Sequence, residues 1–285
     1  MRKIAFVLLG CWLLVGGATV VAAAQDKSDT PPPPKVLVIL REFMKPGKAG
    51  SAHEKTESAF VQAFTKAKWP THYLTVDSLS GKPRTLFLVG YDSFDAWEKD
   101  NAAIQKNAAL GAALDHATAA DSEMLSDTDA SVVSYREDQS LRANINIGET
   151  RYFEISLYTI KPGHRKDWDE LVKLVMAAYE KIPDARWATF ELAYGQQAGN
   201  TYVIFSPLKS ASEIDKAFAQ GKDFAAAMGE DGMKKLAGLE AAAIESSQTN
   251  LFQFNPKLSY PSDSWVKTAP DFWSPKPAAA PKKAE

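Results

Sequence analysis

Cysteine is almost missing from this chain of 285 residues, because its single copy, Cys11, lies near the N-terminus. If that segment is removed, the remaining chain can form neither a disulfide nor a thiolate metal site. Its stability must then come from an ordinary hydrophobic core. The length is sufficient for two small domains, each with a core of its own.

An excess of either charge is also missing. The chain has 33 lysine and arginine residues and 35 aspartate and glutamate residues, for a formal net charge of −2. A nucleic-acid binder needs a concentrated basic face. We therefore expect no nucleic-acid partner. Gly-rich phosphate loops, EF-hand patterns and a Ser-His-Asp order are lacking as well, which leaves no familiar catalytic motif.

The N-terminal segment has the pattern of a signal peptide. Arg2 and Lys3 precede the apolar run Ile4–Val21, and Ala22–Ala24 supplies the small residues of a cleavage site. Two alternatives stay open. A retained anchor is one, because the run is nearly long enough to span a bilayer. Lipidation of Cys11 is the other, because the preceding Leu-Leu-Gly resembles a lipobox. We expect export to the periplasm or the medium, with no stable membrane span after cleavage.

Cleavage after Ala24 is the expected outcome of that export. The intact mass of the protein from an envelope or secreted fraction should correspond to a chain that begins at Gln25, because polar and charged residues follow the alanines directly. A lipid-modified Cys11 or an uncleaved N-terminus would contradict this prediction.

Two copies of one strand–turn–helix unit organise the rest of the chain. Lys35–Lys68 and Arg151–Ile182 each pass from a β-rich apolar segment through Lys-Pro-Gly into an amphipathic helix. Pro46 and Pro162 are separated by the same number of residues as Thr85 and Thr201, which predicts a common strand register. The pattern predicts an α+β fold of two tandem ferredoxin-like β-α-β-β-α-β units. The predicted segments are a signal peptide at 1–24, a Pro-rich linker at 25–35, repeats at 36–140 and 151–258, and an aromatic, Pro-rich strap with a disordered tail at 259–285.

This element order resembles the dimeric α+β barrel superfamily, and within it the NIPSNAP-like and antibiotic-biosynthesis-monooxygenase-like families. The resemblance covers Val36–Phe254 and implies an intramolecular pseudo-dimer, with a barrel inside and helices outside. Members include cofactor-free oxygenases, haem-degrading oxygenases, haem peroxidase-like enzymes and proteins with no known reaction. The haem-degrading type uses an Asn on the first strand and a Trp and a His on the second helix. Trp97 and His116 match the last two, but Val36–Phe43 and Tyr152–Thr159 contain no Asn.

The histidines are scattered along the chain, and no pair has the spacing of a metal motif. His53 and His164 occupy matching positions at helix starts, where a solvated or capping role is expected. His72 and His116 could face a pocket, although packed or exposed positions are the commoner outcome. We therefore expect no metal, no haem and no other cofactor.

Strand alternation points to polar residues that could line a pocket. Glu154 and Tyr158 share one face of a strand, and Glu191 lies in the middle of another. A carboxylate in such a place must be solvated or paired, so these groups line a wet cleft or form polar contacts between the two halves. In the first repeat, Arg41 and Glu42 lie on opposite faces of the first strand. The candidate pocket-lining residues are Glu154, Tyr158, Glu191, His116, Trp97, His72 and Arg41.

Two functional hypotheses follow from these patterns. The favoured one is an exported, non-catalytic protein that binds a small apolar or aromatic ligand or an envelope partner. The alternative is a cofactor-independent oxygenase-like enzyme. The shape of any cavity between each sheet and its helices would distinguish them. The sequence does not fix the oligomeric state, and a monomer is compatible with it.

Overall fold

The computed structural model describes residues 30–195 and 198–274, so the predicted signal peptide, the start of the linker and the end of the tail lie outside it. The first half contains β1 (Val36–Met44), α1 (Ser51–Ala67), β2 (Tyr73–Ser78), β3 (Arg84–Tyr91), α2 (Phe94–Lys106), α3 (Ala108–Asp121) and β4 (Leu125–Tyr135). The second half contains β5 (Tyr152–Ile160), α4 (Arg165–Tyr179), β6 (Ala188–Tyr194), β7 (Thr201–Leu208), α5 (Ser212–Ala219), α6 (Gly221–Ala243) and β8 (Ile244–Phe254). Two short helices follow, α7 (Asp263–Thr268) and α8 (Pro270–Trp273).

The eight strands form one closed barrel in the order β1-β3-β2-β8-β5-β7-β6-β4. All neighbouring strands are antiparallel. Each half contributes four adjacent strands in the same relative order, and the β2–β8 and β4–β6 pairs join the halves. The α+β barrel predicted from the sequence is confirmed at this level. Descent of the two halves from one duplicated ferredoxin-like unit stays a prediction.

The strand register that was predicted to be common to the two halves is wrong by one residue for β3 and β7. Thr201 lines the barrel interior together with Val203. Thr85 lies between two inward-facing residues of β3, so it points to the outer face, where its hydroxyl donates to Asp77 at 2.7 Å. Equal spacing of two threonines therefore does not place them on the same face.

The helical segments that follow β3 and β7 are interrupted. In the first half, α2 ends and α3 begins at Asn107, whose side chain accepts a hydrogen bond from the Leu110 amide at 3.1 Å. An Asn that caps a helix start gives the next helix a defined beginning. In the second half, α6 has a kink at Gly229, with a φ of 69°.

The barrel interior holds the main core. Its members are the inward-facing apolar residues of the strands, including Leu37, Ile39, Phe153, Phe205 and Phe252. One end is closed by the connection between the halves and by α7 and α8, whose side chains Trp265, Val266, Phe272 and Trp273 pack on this core. The helices cover the outer faces, with α1 against α3 and α4 against α6. Among the described residues, no helix has the length and apolar character needed to cross a membrane.

Candidate functional site

A cavity of about 420 Å³ occupies the end of the barrel opposite the strap. It lies inside the barrel rather than between a sheet and its helices, where the sequence hypotheses placed it. Its walls are mainly apolar and come from strands of both halves, so neither half could form it alone. The lining residues with apolar side chains are Ile39, Phe43, Leu86, Ile155, Leu157, Leu192, Val203, Phe205 and Phe252.

Three cationic side chains line this cavity, those of Arg41, Lys82 and Arg84. The Arg41 guanidinium donates to Ser131 Oγ at 2.8 Å and pairs with Asp129. Arg84 lies 4.9 Å from the Phe252 ring centroid and donates to a backbone carbonyl at 2.9 Å.

Two of these cations have no carboxylate partner among the residues that the structure describes. Arg84 and Lys82 form no ion pair there, and the Lys82 ammonium lies 4.4 Å from the Phe43 ring centroid. Burial, followed by the positive charge of Arg41, lowers the pKa of the Arg84 guanidinium. A bound anion would relieve this unfavourable electrostatic environment.

A second constellation lies on the outer face of β1, beneath α1 and α3. We call Glu42, His53, Glu57 and Asp121 the buried quartet. Their exposed fractions are 7%, 3%, 2% and 2%, and one potential ligand atom from each lies within 4.8 Å of the other three. His53 Nε2 is 3.1 Å from Glu42 Oε2, 3.6 Å from Asp121 Oδ1 and 3.8 Å from Glu57 Oε1.

Burial dominates the electrostatics of the quartet. It raises the pKa of Glu57 to about 10, and the charges of Glu42 and Asp121 add to the effect. Burial also raises the pKa of Glu42, outweighing the hydrogen bond with His53. The pKa of the Tyr73 phenol is also raised, by burial and then by the charges of Glu57 and Glu42.

The solvated position that the sequence predicts for His53 is wrong. His53 is buried in α1, whereas His164 precedes α4 with a side chain 44% exposed and pairs with Asp167 at 2.7 Å. The two residues therefore do not occupy equivalent environments. Histidine spacing alone could not indicate this cluster, because the fold brings Glu42 of β1 and Asp121 of α3 to His53 and Glu57 of α1.

The pocket-lining residues predicted from the sequence do not form one site. Arg41 lines the barrel cavity. Glu154 is exposed, and Tyr158 packs on the outer face with its ring 5.4 Å from that of Trp168. Glu191 accepts from Arg136 at 2.6 Å and from Arg165 at 2.7 Å. Since Arg136 follows β4 and Glu191 lies in β6, this pair is a polar contact between the halves.

The remaining predicted residues are separated as well. His116 is exposed on α3. Trp97 lines a shallow depression on α2 with Phe94. The His72 ring is 4.7 Å from that of Tyr260, and its Nδ1 is buried without a hydrogen-bond partner. None of these three reaches the barrel cavity or belongs to the quartet.

Comparison with known proteins gives structural similarity only. No protein-family profile matches the sequence. No curated protein matches it. A candidate monooxygenase from Fusobacterium nucleatum superposes with a TM-score of 0.52 at 13% identity, covering 78% of this chain and 93% of that one.

Other solved structures align with lower scores. A candidate monooxygenase from Lactobacillus acidophilus has a TM-score of 0.48 at 8% identity, over 79% of this chain and 94% of that one. A chlorite dismutase mutant from Candidatus Nitrospira defluvii has a TM-score of 0.45 at 7% identity, over 82% and 96%. The similarity to the Fusobacterium nucleatum structure shows a shared α+β barrel fold, and in this chain one polypeptide supplies all eight strands.

Proposed function

We propose that this protein binds an amphipathic organic anion, with an apolar or aromatic body and one acidic group, in the barrel cavity. The observation that carries the proposal is an apolar chamber lined at one end by Arg41, Lys82 and Arg84. The apolar walls favour removal of a hydrocarbon or aromatic body from water. Two of the cations lack a carboxylate partner in the described chain, so an anionic group would pair with them.

The side chains around the cavity favour binding over acid–base catalysis. Its lining contains no histidine, carboxylate or tyrosine among the described residues; its polar members are Arg41, Lys82, Arg84, Ser131, Thr201, Gln248 and Asn250. A general base needs a pKa near the working pH, and arginine and lysine are residue types whose ordinary pKa values lie far above it. The non-catalytic hypothesis is therefore preferred to the oxygenase-like alternative for this cavity.

Two further statements belong to the same proposal. The pattern at the N-terminus supports action outside the cytoplasm, with cleavage after Ala24. The shared element order of the two halves supports a tandem duplication of a ferredoxin-like unit. In that history, an ancestral two-chain barrel became a single chain whose halves could diverge. The different environments of His53 and His164 fit such divergence.

The binding experiment compares two fluorescent aromatic probes on the full-length protein. Anilinonaphthalene sulfonate carries a negative charge, and phenylnaphthylamine is a similar neutral molecule. We expect saturable binding of the anion that is weakened by about tenfold or more in Arg84→Met, since hydrogen bonds to charged groups contribute about 1.5–3 kcal/mol. Binding of the neutral probe should change far less, because it does not use the cations.

Matched variants separate the cavity from the rest of the surface. Lys82→Met should weaken binding of the anionic probe. Lys99→Met should leave this binding unchanged, because Lys99 is exposed on α2 and paired with Asp95. Leu157→Trp should reduce binding of both probes by filling the cavity. Unchanged thermal unfolding of each variant would exclude misfolding as the cause. Equal loss of both probes in Arg84→Met, or no saturable binding by the parent protein, would disprove the proposal.

A further inference from the structure

The buried quartet places three carboxylates out of water with too little positive charge nearby. Glu42, Glu57 and Asp121 are each at least nine-tenths buried. Within the described chain, the only basic side chain within ion-pair distance of them is that of His53, and no lysine or arginine lies that close. Burying a carboxylate without a compensating charge is strongly unfavourable. A divalent cation among them would supply the missing charge.

Unsatisfied atoms around the quartet provide an independent observation. Glu57 Oε1 is buried and has no hydrogen-bond partner, and neither has the Tyr73 hydroxyl. Buried polar groups in proteins are almost always paired. An unpartnered carboxylate oxygen inside the cluster is therefore an open ligand position.

The positions of the quartet atoms suit one shared ion. Donor atoms bound tetrahedrally at about 2.0–2.2 Å from a metal lie roughly 3.3–3.6 Å from one another. His53 Nε2 lies 3.1–3.8 Å from its three carboxylate neighbours. Asp121 is also oriented by Thr56, whose hydroxyl lies 2.6 Å from Asp121 Oδ1. Such an outer contact typically holds a metal-binding carboxylate in place.

We propose that the buried quartet binds one divalent first-row transition-metal ion, of the kind represented by Mn²⁺, Fe²⁺ or Zn²⁺. One imidazole nitrogen with three carboxylates matches these ions. Calcium and magnesium prefer oxygen ligands alone, and copper(I) prefers the sulfur ligands that the quartet lacks. The site lies on the opposite face of β1 from the barrel cavity, so it does not depend on the proposed anion binding.

The second half shows that the fold does not need such a cluster. Between β5 and α4, the corresponding space is filled by aromatic packing. The Trp168 ring lies 5.4 Å from that of Tyr158 and 4.8 Å from that of Tyr202. An apolar filling therefore suffices in this position. The carboxylates of the first half are thus a local feature that a structural role alone does not explain.

The test measures metal content and binding on full-length protein without a histidine tag. After removal of bound metal with a chelator, the protein is titrated with Zn²⁺, Mn²⁺ and, as a spectroscopic probe, Co²⁺. We expect one equivalent per chain, an increase in the thermal unfolding temperature, and Co²⁺ absorption bands of a site with nitrogen and oxygen ligands. His53→Gln and Asp121→Asn should weaken binding by about tenfold or more.

Two further variants make the outcome decisive. Glu57→Gln nearly preserves the shape of the side chain and removes one carboxylate ligand, so this variant should fold without metal and bind metal more weakly than the parent protein does. His164→Gln is the matched control, because His164 and Asp167 form an exposed pair of the same residue types. The proposal is overturned if the parent protein binds no stoichiometric metal, or if His53→Gln and Glu57→Gln bind as tightly as the parent does.

Discussion

Separate expression of the two halves, as fragments Pro34–Ser140 and Arg151–Pro261, should give aggregated or self-associating products. The barrel has no free strand edge as long as both halves are present. Cutting it removes the β2–β8 and β4–β6 pairs, which leaves two unpaired edges on each sheet. Unpaired edges of this kind recruit other strands.

Exposure of the inner face of the barrel should increase the tendency of each fragment to associate. Residues such as Ile39 and Phe205 are almost completely buried in the intact barrel and would become exposed in an isolated half. A sheet with helices on one face needs cover on the other. Each fragment should therefore satisfy this need with a second copy of itself or by aggregation.

Size-exclusion chromatography with light scattering would measure the association state of each fragment. Co-expression of Pro34–Ser140 with a longer second fragment, Leu141–Ser274, provides the control, because this pair keeps the connection and the strap that pack on the core. It should yield a soluble one-to-one complex whose far-ultraviolet circular dichroism resembles that of the intact protein. Two soluble monomers, each with cooperative unfolding, would contradict the expectation that each half depends on the other.

Much of the fold could be predicted from local patterns. The strand β1 is apolar at nearly every position because both of its faces are covered, by the barrel core inside and by helices outside. The Lys-Pro-Gly turns and the amphipathic helices gave the element order directly. The early parts of β4 and β8 have no such pattern, because segments such as 125–130 and 244–249 are polar. They are strands because antiparallel pairing with β1 and β5 satisfies their backbone groups.

The quartet was missed for a different reason. Asp121 is far from Glu42, His53 and Glu57 in sequence, and only the packing of α1 and α3 on β1 brings the four together. A local signal did exist, because His53 and Glu57 continue the apolar stripe of α1 through Phe60. A charged pair on the buried stripe of a helix indicates a buried polar site. The barrel cavity had no such signal, since residues from seven of its strands meet only after closure.

Substitution of Trp273 by alanine is expected to destabilise the full-length protein by about 3–5 kcal/mol. Trp273 is 3% exposed in α8 and belongs to the barrel core. Its indole packs with Phe272 and Trp265 at ring distances of 5.0 and 5.3 Å. Its Nε1 also donates to the Gly148 carbonyl at 3.0 Å, which fastens the strap to the connection between the halves.

Two comparisons identify the cause of this loss. Trp273→Phe keeps an aromatic ring but removes the donor to Gly148, so its cost should be smaller, about 1–3 kcal/mol. Phe218→Ala should change stability by no more than about 0.5 kcal/mol, because Phe218 is 81% exposed. Equilibrium denaturation in guanidinium chloride would give all three values. If Trp273→Ala were no more destabilising than Phe218→Ala, the strap would contribute nothing to the stability of the barrel. We expect the opposite, because Trp273 is buried in the core at the end of the barrel that the strap covers.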